Sequence, residues 1–389
     1  MKRSLRILLA VSAVTLLVPS IAGAAPRMHV GFHDDPNFRY EERRADMLDQ
    51  ARAANTTIVR TLVTWANVAP TRPANASNSF DPAYRFNDLD ELVRNAQARD
   101  IEVLITIWGT PKWANGGKTP NFLPTRLSDL TAFSRAVASR YSGRFAGYPF
   151  VRFFSIWNES NLQLFLAPQF DAAGRSVGPR NYAKLAAAAY SGIKAGNPLS
   201  KVAVGSTSSA GRDRVLKGKS ETHSPGRFAQ LVAAANPRLK FDAWAQHPYP
   251  VPVNQKPTQL VRYPNVTLKS FPRFERDLDR WFKRKNVRIW ITEYGHEVRQ
   301  DGEPNGISRA AQAAYAAQAL TLARQDPRTD MFIWFVFRDH ATSEWQSGLR
   351  TRAGAPKPSL ARFTSLARLL DARNATFNLR GGVANPTVT

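Results

Sequence analysis

The chain has 389 residues, 43% of them hydrophobic, which is ample for a large core and excludes a globally disordered protein. It contains no cysteine, so thiol catalysis, thiolate zinc sites, iron–sulfur clusters and disulfides are excluded. The formal net charge of +24 is a strong long-range field that favours anionic surroundings, or simply keeps the chain soluble, and says nothing about fold.

The chain opens on Met1-Lys2-Arg3-Ser4-Leu5-Arg6, a basic n-region, followed by a short apolar stretch from Ile7 to Val18. Ala22-Gly23-Ala24 fits a small-residue cleavage site with the cut before Ala25. Residues 1–24 are expected to be a secretory signal peptide, which implies a secreted, extracellular protein, with wall association as a further expectation. The other reading is an uncleaved amphiphilic anchor. The apolar stretch falls short of the roughly 20 residues a spanning helix needs, and no later segment is long and apolar enough.

From Met28 onward, strand-like and helix-like segments alternate. Strand Met28–His33 precedes a helix near Glu41–Ala54, and strand Thr57–Trp65 precedes one near Leu89–Arg99. Strand Ile101–Trp108 leads to a helix from Ser128 to Tyr141, and strand Val151–Glu159 to an alanine-rich helix near Asn181–Ala195. Strands Lys201–Ser206 and Phe241–His247 pair with helices near Arg227–Ala235 and Phe271–Lys285. Strands Val287–Glu293 and Met331–Phe337 pair with helices near Ser308–Arg324 and Ser359–Leu370. Ser128 and Ser308 are expected N-caps, and Gly143 and Gly196-Asn197-Pro198 expected helix stops. Eight such pairs match the α/β class and the count of a (β/α)8 TIM barrel spanning residues 25–372, with 373–389 as a C-terminal tail. A doubly wound sheet would usually carry a glycine-rich first turn, where this chain has His33-Asp34-Asp35-Pro36-Asn37.

Two apolar runs end on a glutamate. Phe153, Phe154 and Ile156 lead to Trp157-Asn158-Glu159, and Val287, Ile289, Trp290 and Ile291 lead to Thr292-Glu293-Tyr294-Gly295. A carboxylate at the exit of a buried strand is costly to desolvate and marks a candidate site. Two of them suit acid-assisted cleavage of a glycosidic bond, in which one carboxyl protonates the leaving oxygen and the other attacks or activates water. If the pair retains configuration, the carboxyl groups should lie about 5–5.5 Å apart. Other strand exits carry His33, Arg60, Trp65, Trp108, Trp113, His247, Tyr249 and Trp334, with Trp345 on the last loop. Tryptophan faces stack on sugar rings, and arginine and histidine bond hydroxyls and carboxylates. Trp244, Trp281 and Trp290 read as packing, and Glu297 as a loop charge. No Gly-x-Ser-x-Gly elbow, His-Glu-x-x-His or phosphate loop is present, and the scattered histidines give a metal site no support, so no cofactor is expected.

The Trp-Asn-Glu string after the fourth strand and the Thr-Glu-Tyr-Gly string after the seventh resemble the retaining (β/α)8 glycoside hydrolases of clan A. So do Arg60 and Thr110-Pro111-Lys112-Trp113, and the likeness is nearest to glycoside hydrolase families 5 and 39, over about Met28 to Leu370. The resemblance implies Glu159 as general acid/base, Glu293 as nucleophile and Asn158 on the sugar 2-hydroxyl. It implies Arg60 as the charge that keeps Glu293 ionised, and His247 and Tyr249 around Glu293 and the substrate. Trp334 would be the floor beneath the reacting sugar, with Trp113 and His33 as further substrate contacts. The implied partner is a polysaccharide or oligosaccharide. The basic charge adds an anionic polysaccharide or cell-wall polymer as an expected neighbour, while no specific nucleic-acid module is recognisable. A barrel that binds carbohydrate without catalysis, or a basic cell-wall interaction protein, remains the alternative.

Overall fold

The computed structural model describes residues 28–341 and 345–371. The expected leader and the tail from residue 373 lie outside the described residues. Eight strands run β1 (His29–His33), β2 (Ile58–Thr64), β3 (Glu102–Trp108), β4 (Phe153–Ile156), β5 (Lys201–Thr207), β6 (Ala243–Gln246), β7 (Arg288–Tyr294) and β8 (Thr329–Phe335). Each pairs in parallel with its sequence neighbours, and β8 closes on β1, so the sheet is a barrel. The long helices between and after them are α1 (Arg44–Ala53), α2 (Asn87–Gln97), α3 (Leu127–Arg140), α4 (Gly178–Gly196), α5 (Pro225–Ala235), α6 (Phe271–Trp281), α7 (Arg309–Gln325) and α8 (Pro358–Leu369), with single turns at Trp65–Val68 and Lys112–Asn115. The (β/α)8 expectation holds. No helix of the described residues is long and apolar enough to cross a membrane.

Side chains of a strand alternate between its faces, so each strand feeds two cores. Ile58, Leu104, Phe153, Ala203, Ala243, Ala245, Trp290, Met331 and Ile333 form one apolar cluster, the filling of the barrel. Alternate residues such as Val59, Ile105, Phe154, Val204, Trp244, Ile291, Phe332 and Trp334 belong to a second, larger cluster shared with the helices. The interior is filled unevenly. Phe153 and Trp290 meet edge to face with centroids 5.5 Å apart, and the alanines of β5 and β6 leave them room. Gly31 is required on β1, because a Cβ there would stand 1.6 Å from the Ile58 carbonyl oxygen.

Helix boundaries differ from expectation in two instructive places. Ser308 does cap α7, accepting from the Ala311 N–H at 3.1 Å. Ser128 caps nothing, since α3 already begins at Leu127. Gly196 is the last residue of α4 and not a stop beyond it. A Cβ at Gly192 or Gly196 would lie 2.2 or 2.4 Å from the carbonyl oxygens of Thr131 and Arg135, so the two glycines let α4 settle against α3.

Candidate active site

Two residues further along the interior-facing rows, the apolar filling gives way to polar groups. Ile58 is followed by Arg60, Leu104 by Thr106, Phe153 by Ser155, Ala245 by His247 and Trp290 by Thr292. This is the C-terminal end of the strands, where barrels of this kind carry their sites.

Arg60 organises it. A guanidinium buried to 1% exposure is tolerable only when its charge and donors are matched. Nε donates to Thr106 Oγ1 at 3.0 Å, and Nη2 to Asn158 Oδ1 at 2.6 Å. Nη1 donates to Glu293 Oε2 at 2.7 Å and lies 3.1 Å from His33 Nδ1. One side chain thus ties β2 to β3, to the β4 exit, to β7 and to β1.

Glu293 lies within β7, one residue before its end. Tyr249 donates its hydroxyl to Glu293 Oε1 at 3.0 Å, so both carboxylate oxygens are held. Burial pushes the Glu293 carboxyl up. The charge of His247, the hydrogen bond from His33 and the charge of Arg60 outweigh it and hold the group well below the usual carboxylate range. Burial, then the charges of Glu293 and Glu159, drives the Tyr249 phenol well above its ordinary value, so it remains a donor.

Glu159 is presented differently. The apolar run predicts a fourth strand as far as Glu159, but β4 ends at Ile156, and the chain then turns through positive φ at Trp157 (70°) and Glu159 (36°). Such angles cost a residue with a Cβ about 1–2 kcal/mol, which the surroundings must offset. The Trp157 indole is fully buried and donates to the Phe165 carbonyl at 2.6 Å, pinning the turn. The turn swings Glu159 over His247, whose Nδ1 lies 3.1 Å from Glu159 Oε1 and 3.9 Å from Glu293 Oε2. Oxygens of the two carboxylates lie within 4.8 Å of one another. That closeness suits direct attack by one carboxylate on a sugar bound between the two.

Seven predicted residues therefore meet at one place: His33, Arg60, Asn158, Glu159, His247, Tyr249 and Glu293. Two do not. Trp334 has no exposed surface; its indole donates to the Ser347 carbonyl at 2.9 Å and its ring packs on Tyr294 and Phe363. It follows Ile333 by one residue and so faces the helices, away from the barrel interior. Phe335, two residues past Ile333, takes the inward position, half-buried with its ring 5.1 Å from that of His33. Trp113 is likewise engaged elsewhere: its indole donates to the Ala69 carbonyl at 2.8 Å, and Arg72 covers its face at 4.3 Å.

Four contributors escaped the sequence reading. Thr292 places its Oγ1 3.1 Å from His247 Nε2, and Thr106 anchors Arg60. Asp35 backs His33 with 3.5 Å between Oδ2 and Nε2. Phe335 could have been found by counting twos from Ile333. Trp345, weighed only as a loop aromatic, stands edge-on to Tyr249 at 5.5 Å. Among the described residues one group has metal-ligating spacing, Glu159, His247 and Glu293. With the Arg60 guanidinium already 2.7 Å from Glu293, that trio is poorly disposed to a further cation.

The profile of Cellulase (glycosyl hydrolase family 5) matches residues 28–337. The chain belongs to glycosyl hydrolase family 5. Solved structures of similar fold include a family 39 glycoside hydrolase from the gut symbiont Bacteroides cellulosilyticus WH2, with a TM-score of 0.64 at 20% identity. That alignment takes in 89% of this chain and 64% of the other, so the chain spans less than two thirds of that protein. GH5_18 from Streptomyces cattleya, solved in complex with GlcNAc, gives 0.65 at 16% identity over 94% of this chain and 83% of its own. A monomeric β-xylosidase from Caulobacter crescentus CB15 gives 0.60 at 17% identity over 89% and 70%. No curated protein sequence matches. At 16–20% identity these solved structures share the barrel fold of this chain.

Proposed function

We propose that the protein is a secreted retaining glycosidase in which Glu293 is the nucleophile and Glu159 the general acid/base, acting on a polysaccharide or oligosaccharide. In the first step a Glu293 oxygen attacks the anomeric carbon while Glu159 gives its proton to the departing glycosidic oxygen. In the second, Glu159 takes a proton from water, the water oxygen bonds to the anomeric carbon, and Glu293 leaves as a carboxylate. The observation that carries this reading is the unequal grip on two carboxylates within 4.8 Å of each other. Arg60 and Tyr249 bond both oxygens of Glu293 and favour the anion, whereas Glu159 meets the imidazole of His247. Asn158, oriented by Arg60, is placed beside Glu159 to meet the sugar 2-hydroxyl.

A panel of aryl glycosides tests the activity, and a 2-deoxy-2-fluoro glycoside of whichever sugar turns over tests the roles. The fluorinated sugar should accumulate on the peptide that carries Glu293, read by mass spectrometry. Label on any other residue would reject the assignment. The candidate leader supports export, and secretion by a host of the full chain, with and without residues 1–24, checks it.

The charge supports an anionic substrate or matrix. Arg212, Arg214, Lys217 and Lys219 after β5, and Lys256, Arg262 and Lys269 after β6, are exposed in the connections at the active-site end. A substrate steered by them should lose kcat/KM steeply between low and physiological salt, as the field is screened within about 8–10 Å. A flat profile leaves surface retention as the role of the charge.

A further inference from the structure

At the opposite end of the barrel a cavity of about 560 Å³ opens where α4, the α5–β6 connection and the end of α6 converge. Its wall includes Arg238, Lys240, Lys283, Arg284 and Arg288, with Asp242 as the acid and Tyr190 among the aromatics. The volume lies within the roughly 300–1,000 Å³ of small-ligand sites.

The charges in this wall are not balanced. Asp242 is already engaged by Lys194 at 3.4 Å, by Lys201 at 3.9 Å and by the Val202 N–H. Arg288 is matched by Asp330. Arg238, Lys240 and Lys283 are exposed and make no ion pair among the described residues. Arg284 donates to the Phe241 carbonyl at 2.8 Å and lies over the Phe241 ring at 4.3 Å, without a carboxylate of its own. Burial holds its pKa below the ordinary arginine value despite the charges of Asp242 and Asp279. Lys283 adopts a left-handed φ of 52° at the turn that ends α6, a position cheapest for glycine, so its long cationic side chain is carried there at a conformational cost. Like charges gathered around one hollow repel, and an oxyanion placed among them reverses the sign of that energy.

We infer that this cavity binds an oxyanion-bearing sugar unit of an acidic polysaccharide. The cations would bond its carboxylate or phosphate, and Tyr190, whose ring already meets the Lys194 ammonium at 5.6 Å, offers its hydroxyl for the sugar itself. The choice of a glycan over another polyanion rests on the carbohydrate reading of the active site. It also rests on shape, since the cations surround a hollow and do not form the extended stripe that tracks a nucleic-acid backbone. Because the cavity lies where strands β6 and β7 begin, a polymer held there leaves the mouth at their other ends open. The site is a tether that keeps the enzyme on an acidic matrix while the active site faces away from the attachment point.

The test uses the full chain and two triple variants of equal charge. Arg238→Ser/Lys240→Ser/Lys283→Ser removes the exposed cations of the cavity. Arg180→Ser/Arg324→Ser/Arg362→Ser removes three exposed cations elsewhere. Oligogalacturonate and a phosphomannan oligosaccharide are the two probes, followed by titration calorimetry at fixed salt. The cavity variant should lose about tenfold or more in affinity for at least one probe, and the control triple less than about twofold. The probe that responds names the anionic group. Equal losses in both triples would overturn the proposal, as would duplex DNA binding more tightly than either glycan with the same dependence on the cavity. Unchanged Tm and unchanged aryl-glycoside kcat/KM in both triples show that fold and active site are intact. A Glu159→Gln chain should still bind, so failure of the catalytic assignment would leave this result standing.

Discussion

The exits of β4 and β7 each deliver a glutamate to the same few ångströms of space, by opposite means. Glu293 belongs to strand β7, at the point where the β7–β8 register shifts between Ile291 and Tyr294, and the arginine that grips it is a residue of strand β2. Glu159 stands three residues beyond the end of its strand, on a turn held by an indole and a carbonyl. The exit inside the strand presents a carboxylate with both oxygens bonded and its charge compensated. The turned exit presents one with a single imidazole beside it. Retaining hydrolysis asks for this asymmetry, because one group must remain an anion while the other gains and loses a proton in each cycle. The chemistry is therefore divided by how far each residue stands from the sheet as much as by which side chains surround it.

The sharpest way to break the comparison is to delete each glutamate in turn. Glu293→Ala should lower kcat by on the order of 10⁶, the scale seen when a covalent nucleophile is lost. Azide should then restore turnover with a product of inverted anomeric configuration. Glu159→Ala should cost about 10²–10⁴ on substrates with poor leaving groups and far less on activated aryl glycosides, which need little protonation. Here azide should give a product of retained configuration. If both variants respond alike to leaving group and azide, the two exits do not hold different roles.

How much of this was legible before the structure depended on whether a feature is local. The eight strand–helix pairs are written in hydrophobic runs of the right length, and both glutamates announce themselves by ending such runs. Arg60 was legible for the same reason, as a charge inside an apolar strand. Trp334, which the family resemblance implies as the floor of the site, lies on the other face of β8, because a residue at a strand exit does not announce which face its side chain takes. Registering β8 against its interior residues Met331 and Ile333 selects Phe335 instead. The turn at Trp157 and Glu159 could not be read, since its angles are held by a contact to Phe165 and not by a glycine or proline. Asp35 and Thr292 were passed over because each acts through a histidine, and such pairings appear only when strands are set side by side.

A smaller perturbation addresses the grip on Glu293 directly. Tyr249→Phe removes the hydrogen bond to Oε1 and leaves the ring in place. A hydrogen bond to a charged group is worth about 1.5–3 kcal/mol, so kcat/KM should fall roughly 10- to 100-fold. The bond favours the anion, and its loss should move the acid limb of the pH–activity profile to higher pH. A drop in rate with an unmoved acid limb would mean that Tyr249 serves the substrate and not the charge of Glu293.

The smallest expected effect tests the layer behind the grip. Burial and Arg60 pull the pKa of His33 down, but its hydrogen bonds to Asp35 and Glu293 prevail and raise it above the ordinary 6.5. A histidine raised on folding contributes stability that is complete below its unfolded value and disappears as pH climbs through the folded one. Wild-type protein should therefore lose this contribution on going from neutral to alkaline pH. Asp35→Asn keeps the side-chain shape and an acceptor for Thr61 or Leu62, yet removes the charge that faces His33. His33 should then lose its proton at lower pH. The alkaline limb of kcat/KM should shift toward acid, and the gap in Tm between wild type and variant should be widest near pH 6 and close as pH rises. At the optimum the loss in rate should be no more than about tenfold, because Arg60 and Tyr249 still hold Glu293. A profile lowered uniformly at every pH would assign Asp35 to bracing β2 through Thr61 and Leu62, and would confine the electrostatic control of Glu293 to the residues that touch it.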